Sequence, residues 1–322
     1  MKRNDYLFAV ASVRALENSL LKQSDLEQLI NAEDYQRAAA IVSEKGYPLS
    51  GTSDYSAVLD SELENAWNYV ITAAPEAEEL KTFIVKNDFQ NLKAVLKAEV
   101  MNYNASDYAA KPSVIPFETL LEAVSERRFD ELPEFISEAA EKAFGILTKT
   151  GSAQLCDAVA DTAALEAVLG FASVNGDLIL KEYAEAYCLA ADIKTAYRAV
   201  KTGKNEVFLD MSVAECEKLN KSDFIAAALG GMDSFLEYLS SAGLSDYKAE
   251  LEKSSSSFEK YCDDKMLEII KKAKMTAFGV SPLAAYYVAK ETEIKCLRII
   301  LSAKLSFVSG DVIRERMREL YV

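Results

Sequence analysis

Histidine is missing from all 322 residues, and tryptophan occurs once. No imidazole is available as a general base, phosphocarrier or metal ligand. A serine or cysteine nucleophile would need some other base. Cysteine is sparse: Cys156, Cys188, Cys216, Cys262 and Cys296 never come closer than 28 residues in the chain. There is no CxxC pair, and no histidine to complete a zinc site. The dispersed set is expected as buried thiols of a reducing cytoplasm. Long apolar runs are also missing, so no segment reaches the roughly 18 residues that span a membrane. The start, Met1-Lys-Arg-Asn-Asp-Tyr-Leu-Phe-Ala-Val, puts Asp5 before its apolar run and reads poorly as a signal peptide. A protein inside the cell, without a membrane span, is expected. Glycine-rich phosphate loops are lacking as well. The only Gly-Lys dipeptide, Gly203-Lys204, is followed by Asn205, and no GxGxxG occurs. No cofactor is expected. Basic charge is short, with 36 Lys and Arg against 51 Asp and Glu, a net charge of −15. That balance argues against nucleic acid and bare anionic lipid as partners.

What the chain has is helix-forming sequence. Ala, Leu, Glu and Lys fill nearly every segment, and strict Val/Ile/Thr alternation is missing. Breakers separate the segments: Gly46-Tyr47-Pro48 with Gly51, Ala74-Pro75, and Lys111-Pro112 to Ile115-Pro116. Gly151, Gly176, Thr202-Gly203, Gly230-Gly231, Gly243 and the serines 254–257 follow. In Phe278-Gly279-Val280-Ser281-Pro282, Gly279 suits a left-handed helix stop, Ser281 a cap and Pro282 a first turn. The fold class is all-α with short loops. A chain of 322 residues exceeds the ~250–300 that one core serves, so two or more packed units are expected.

The stretch Ala289 to Ser306, AKETEIKCLRIILSAKLS, sets Arg298 within the helical stripe of Ile294, Leu297, Leu301 and Leu305. Such a cation is either a ligand-binding or catalytic group, or a packing device. The pairing of an aliphatic with a following basic residue recurs at Leu92-Lys93, Ile193-Lys194 and Val13-Arg14, and Ala98, Ala199 and Ala303 fall in step with it. The flanking stripe is clear around Arg14 (Leu7, Val10, Leu21) and Lys93 (Phe89, Leu96, Val100), and weak around Lys194. A second element follows: Ser24–Ile30 before Tyr35, Phe117–Val124 before Phe129, and Ser222–Leu229 before Phe235. The repeat defines three helical units, 1–110, 111–210 and 211–322, with the first and last helices as partial copies. A catalytic group is needed once, whereas Arg14, Lys93, Lys194 and Arg298 repeat, so they are read as structural cations that orient helices.

Other candidates are weaker. Asp263-Asp264 and Glu62 with Glu64 fit no calcium-loop spacing and read as solvated faces. Trp67 near Tyr69 reads as core. In the segment from Asp311 to Val322, Glu315–Arg318 and Arg316–Glu319 form i,i+3 pairs on a helix expected to pack at home.

Several of these residues carry a family resemblance. Tyr6-Leu-Phe-Ala-Val-Ala-Ser-Val-Arg-Ala-Leu-Glu-Asn-Ser-Leu-Leu21 resembles the opening of the C subunit of A/V-type rotary ATPases, whose eukaryotic counterpart is the d subunit. Phe278-Gly279 with Pro282, Ala289-Lys290-Glu291, Glu293-Ile294, Leu297 to Ile300, and Ile313-Arg314-Glu315 through Tyr321-Val322 resemble its ending. Asp88 to Leu96 resembles its first internal copy, and residues 140–190 match only in general character. The resemblance implies three similar helical domains around a pseudo-threefold axis, shaped like a funnel. It implies one non-catalytic copy per complex, placed on the cytoplasmic side between the membrane rotor ring and the central shaft. A free-standing helical-repeat scaffold, or an enzyme using carboxylates alone, are the other readings.

Overall fold

A computed structural model of the chain describes residues 6–49, 54–74, 76–101 and 103–322. Met1–Asp5, Gly51 and Pro75, used above, lie outside these residues. Among the described residues the fold is all-helical, sixteen α-helices and four 3₁₀ turns with no strand. In chain order these are α1 (Leu7–Glu17), α2 (Gln23–Ile30), α3 (Tyr35–Glu44) and α4 (Tyr55–Ala73). Next come α5 (Val85–Met101), α6 (Phe117–Glu126), α7 (Glu134–Thr150) and α8 (Ala153–Ser173). Then follow α9 (Leu178–Lys201), α10 (Glu206–Ser212), α11 (Lys221–Leu229), α12 (Met232–Ser241) and α13 (Ser245–Lys253). The last are α14 (Ser255–Lys271), α15 (Ser281–Leu305) and α16 (Gly310–Arg316).

The helices start where polar side chains can cap them. Asp34, Asp54, Ser152, Asp177, Asn205, Asn220 and Ser254 each accept a backbone N–H of the first turn. Each such cap contributes about 1 kcal/mol. Gly279 has φ +85°, as its stop role requires. The following helix starts one residue earlier than its sequence suggests. Val280 takes the cap position without a side-chain bond, and Ser281 is already helical.

The chain forms two compact units, one of residues 1–77 with 250–322 and one of 78–249. In the first, α15 is the hub, packed by α1, α2, α3, α4, α14 and α16. Its residues from Ser281 to Ala289 are all buried, which is the pattern of a helix enclosed on every side. Leu297, Ile300 and Leu301 join Leu26, Leu29 and Leu59 in one core. Trp67 is buried edge-on against Tyr287, with ring centroids 5.4 Å apart. In the second unit α8 plays the central part, between α5, α7, α9 and α10. All five cysteines are buried, and none forms a disulfide among the described residues.

Three stripe assignments are corrected. Leu305, Leu7 and Val100 are exposed at 49%, 55% and 47%, each at or next to a helix end. Leu21 is buried but follows α1 rather than belonging to it. The tail is corrected too. The helix ends at Arg316, and Arg318 Nε turns to Asp263 Oδ2 at 2.8 Å while Glu319 N donates to Asp264 Oδ1 at 2.8 Å. Intrahelical pairs are worth only a few tenths of a kcal/mol, too little to keep Arg318 from a partner that lets it bury. Asp263 and Asp264 are therefore docking groups for the tail, not a solvated face. The tail does pack at home, with Met317, Leu320 and Tyr321 buried.

Leu301→Ala should lower the unfolding free energy by about 2–5 kcal/mol, whereas Leu305→Ala should stay within about 0.5 kcal/mol. Denaturant titration of the two variants checks this, and equal losses would refute the assignment of Leu305 to the surface.

Candidate functional site

The recurring cations engage different partners. Arg298 of α15 bonds Asp60 of α4, and its side chain remains 40% exposed. Arg14 of α1 pairs with Glu17 at 2.7 Å and donates to the carbonyls of Ala273 and Thr276. Lys93 of α5 pairs with Asp161 of α8, and one turn on Lys97 pairs with Asp157 at 2.6 Å. Lys194 sits half-buried on α9. An exposed pair such as Arg298–Asp60 contributes about 0–1 kcal/mol.

A stronger pattern lies five residues before Lys93 and Arg298, and sequence reasoning missed it. Asp88, Asp192 and Glu293 are 0%, 0% and 1% exposed, on α5, α9 and α15. Counted from these carboxylates, Phe89, Ile193 and Ile294 come next, then Leu92, Ala196 and Leu297, then Val95, Ala199 and Ile300, all buried. In this count Lys93 and Arg298 coincide, and α9 has Tyr197 at their place. The signal was visible as an acid ahead of the same apolar stripe in each of these three helices.

Each carboxylate accepts from the backbone that leads into a short helix. Asp88 takes Ile115 N at 2.7 Å and Val114 N at 3.0 Å, just before α6. On the same face Asn91 clasps both backbone groups of Ala110, and Asn87 donates to the Pro112 carbonyl at 2.7 Å. Asp192 takes Ala214 N at 3.1 Å ahead of α11, and on the same helix Glu185 takes Glu217 N at 2.8 Å. In the unit that holds both chain ends, Glu293 Oε2 takes Leu21 N at 2.5 Å, ahead of α2. Its Oε1 accepts from the Tyr47 hydroxyl and from Lys290 Nζ, the latter at 2.8 Å.

Burial sets the electrostatics. It pushes the Asp88 carboxyl up to about 6 even though two N–H groups favour its charge. Asp192 has one N–H, its Oδ2 lacks a hydrogen-bond partner, and burial pushes it up to about 7. Burial, reinforced by the Glu293 charge, drives the Tyr47 hydroxyl far above its ordinary range and keeps it a donor. Lys290 lies 4.5 Å from the centre of the Tyr47 ring, so the pair is packed as well as charged. These acids are shielded from solvent and committed to backbone, so they hold chain in place and present no accessible acid–base pair.

No group of three or more His, Cys, Asp or Glu is placed to hold a metal among the described residues. No described helix is long and apolar enough to cross a membrane. The unit of 78–249 has an open groove of 690 Å³ against α7 and α8, with Phe135, Phe171 and Met211 on its walls and Glu134, Glu138 and Glu166 around it.

Two outcomes test this ranking. Glu293→Ala should cost about 3–5 kcal/mol of stability and Arg298→Ala less than about 1 kcal/mol, measured by chemical denaturation; the reverse order would overturn it. Asp192 binds its proton more tightly folded than unfolded, so its contribution is greatest below about pH 4 and declines as pH rises to about 7. Asp192→Asn keeps an acceptor for Ala214 and removes that slope. The stability of the variant relative to the native chain should therefore rise across this window, and a constant difference would contradict the assignment.

The model of the ATP synthase (C/AC39) subunit family matches residues 9–316. The C subunit of the V-type sodium ATPase of Enterococcus hirae is 24% identical over 317 residues, covering 96% of this chain and 97% of that protein. The C subunit of the A-type ATP synthase of Methanocaldococcus jannaschii is 23% identical over 347 residues, covering 98% and 86%. Its counterpart in the A-type ATP synthase of Methanobrevibacter smithii is 24% identical over 337 residues, covering 93% and 84%. A match across nearly the whole length, on an all-helical chain, identifies a member of the ATP synthase (C/AC39) subunit family.

Proposed function

We propose that this chain is a non-catalytic central-stalk subunit of a V/A-type ATP synthase, coupling a membrane rotor ring to a central shaft. One copy would sit on the cytoplasmic side of the ring, as a funnel of three similar domains, 1–110, 111–210 and 211–322.

The observation that carries this reading is the buried carboxylate on each of α5, α9 and α15, pinning the approach to α6, α11 and α2. A torque coupler has to resist twisting, and its weak points are the loops between helices. Close-packed helices transmit strain, and a loop whose N–H groups are bonded to a neighbouring helix yields less than a solvated one. The recurring cations Arg14, Lys93, Lys194 and Arg298 then serve as orientation devices, setting how helices cross. The acidic surface suits basic positions on ring or shaft.

The test is co-purification with separately expressed shaft and ring subunits. The native chain should be retained by both, and reversing Glu134, Glu138 and Glu166 to Lys together should loosen assembly. Failure of the native chain to bind either partner would remove the proposal. Unchanged retention of the reversed variant would remove the role of this acidic groove.

A further inference from the structure

In the unit of residues 1–77 and 250–322, a second groove of 420 Å³ runs beside the end of α15 and along α16. Its charge is opposite to that of the chain. Arg298 and Arg316 line it and no carboxylate does, in a protein of net charge −15. Arg316 is exposed and pairs with no carboxylate among the described residues. Arg298 uses Nη2 on Asp60, while its Nε is buried without a hydrogen-bond partner. The rest of the lining is mixed, with Ile299, Ala303 and Val312 beside Ser56, Ser302 and Ser306.

The groove continues into an apolar edge. Phe307 is 94% exposed, and Leu305 and Val312 are 49% and 41% exposed. Phe307 has φ +54°, a left-handed conformation in which a bulky residue is uncommon. It is the left-handed stop after α15, where Val308 N donates to the Ala303 carbonyl at 2.9 Å and Phe307 N to that of Lys304 at 3.2 Å. Exposed apolar surface edged by charge is the pattern of a protein-binding face.

We propose that this groove docks an acidic helix of a partner subunit, its apolar side against Ile299, Val312 and Phe307 and its carboxylates against Arg298 and Arg316. Charge complementarity selects that occupant. A basic helix would meet two like charges. A bidentate guanidinium–carboxylate contact would also satisfy groups that are only partly used in the free chain. The inference rests on the reading that the chain assembles with other subunits.

The experiment places a photoreactive benzoyl-phenylalanine at Val312 in the assembled complex, with a second probe at Ala163 in the acidic groove of the other unit as control. The Val312 probe should capture a partner subunit within a segment rich in Asp and Glu, identified by mass spectrometry. Arg316→Glu should lower that yield roughly tenfold, Arg316→Lys should retain most of it, and neither should alter capture at Ala163. Capture of lipid, capture of a basic segment, or silence at Val312 while Ala163 still finds a partner would each overturn the proposal. Silence at both positions would remove the assembly reading and this inference with it.

Discussion

A buried backbone N–H has to find an acceptor, and in an all-helical protein there is no sheet to provide one. Helices satisfy themselves internally, but the segments entering α2, α6 and α11 lie against long helices with N–H groups turned inward. Glu293, Asp88 and Asp192 answer that requirement. Placing an ionisable group inside apolar packing is costly, and the upward shifts of Asp88 and Asp192 register the cost. It is tolerated because an orphaned N–H at the same place would be worse.

The ranking of charged residues follows from exposure. Arg298 looks the more conspicuous in sequence, since it interrupts an aliphatic stripe, yet half-exposed pairs are screened and entropically loose. Glu293, five residues earlier, is enclosed and holds three donors. Removing it would strand the Leu21 amide, the Tyr47 hydroxyl and the Lys290 ammonium together. Burial, not repetition, decides which charged residue on α5, α9 and α15 matters.

Much of the fold was legible because helices and breakers are local. The segments at 24–30, 117–124 and 222–229 are helical, and Gly279 turns where its position demands. The tail was not legible beyond Arg316, because Asp263 and Asp264 compete for it from more than 50 positions away. The ends of stripes were misjudged for a related reason. Periodicity states which way Leu305 points on its helix, not whether a neighbour extends far enough to cover it. The buried acids were overlooked because an Asp or Glu beside an apolar run reads as a solvated edge until its surroundings are known. The two grooves had no sequence signature, being assembled from helices separated in the chain.

The unit built from residues 1–77 and 250–322 has a consequence for how the protein is made. During synthesis α2, α3 and α4 emerge long before α15, the helix around which their apolar faces close. The Leu21 amide must wait for a carboxylate made 272 residues later. The intervening unit is compact in its own right and can condense before α15 is made. Until then the early helices remain exposed to whatever else the ribosome exit offers, so nascent-chain protection is needed most at the beginning of the polypeptide.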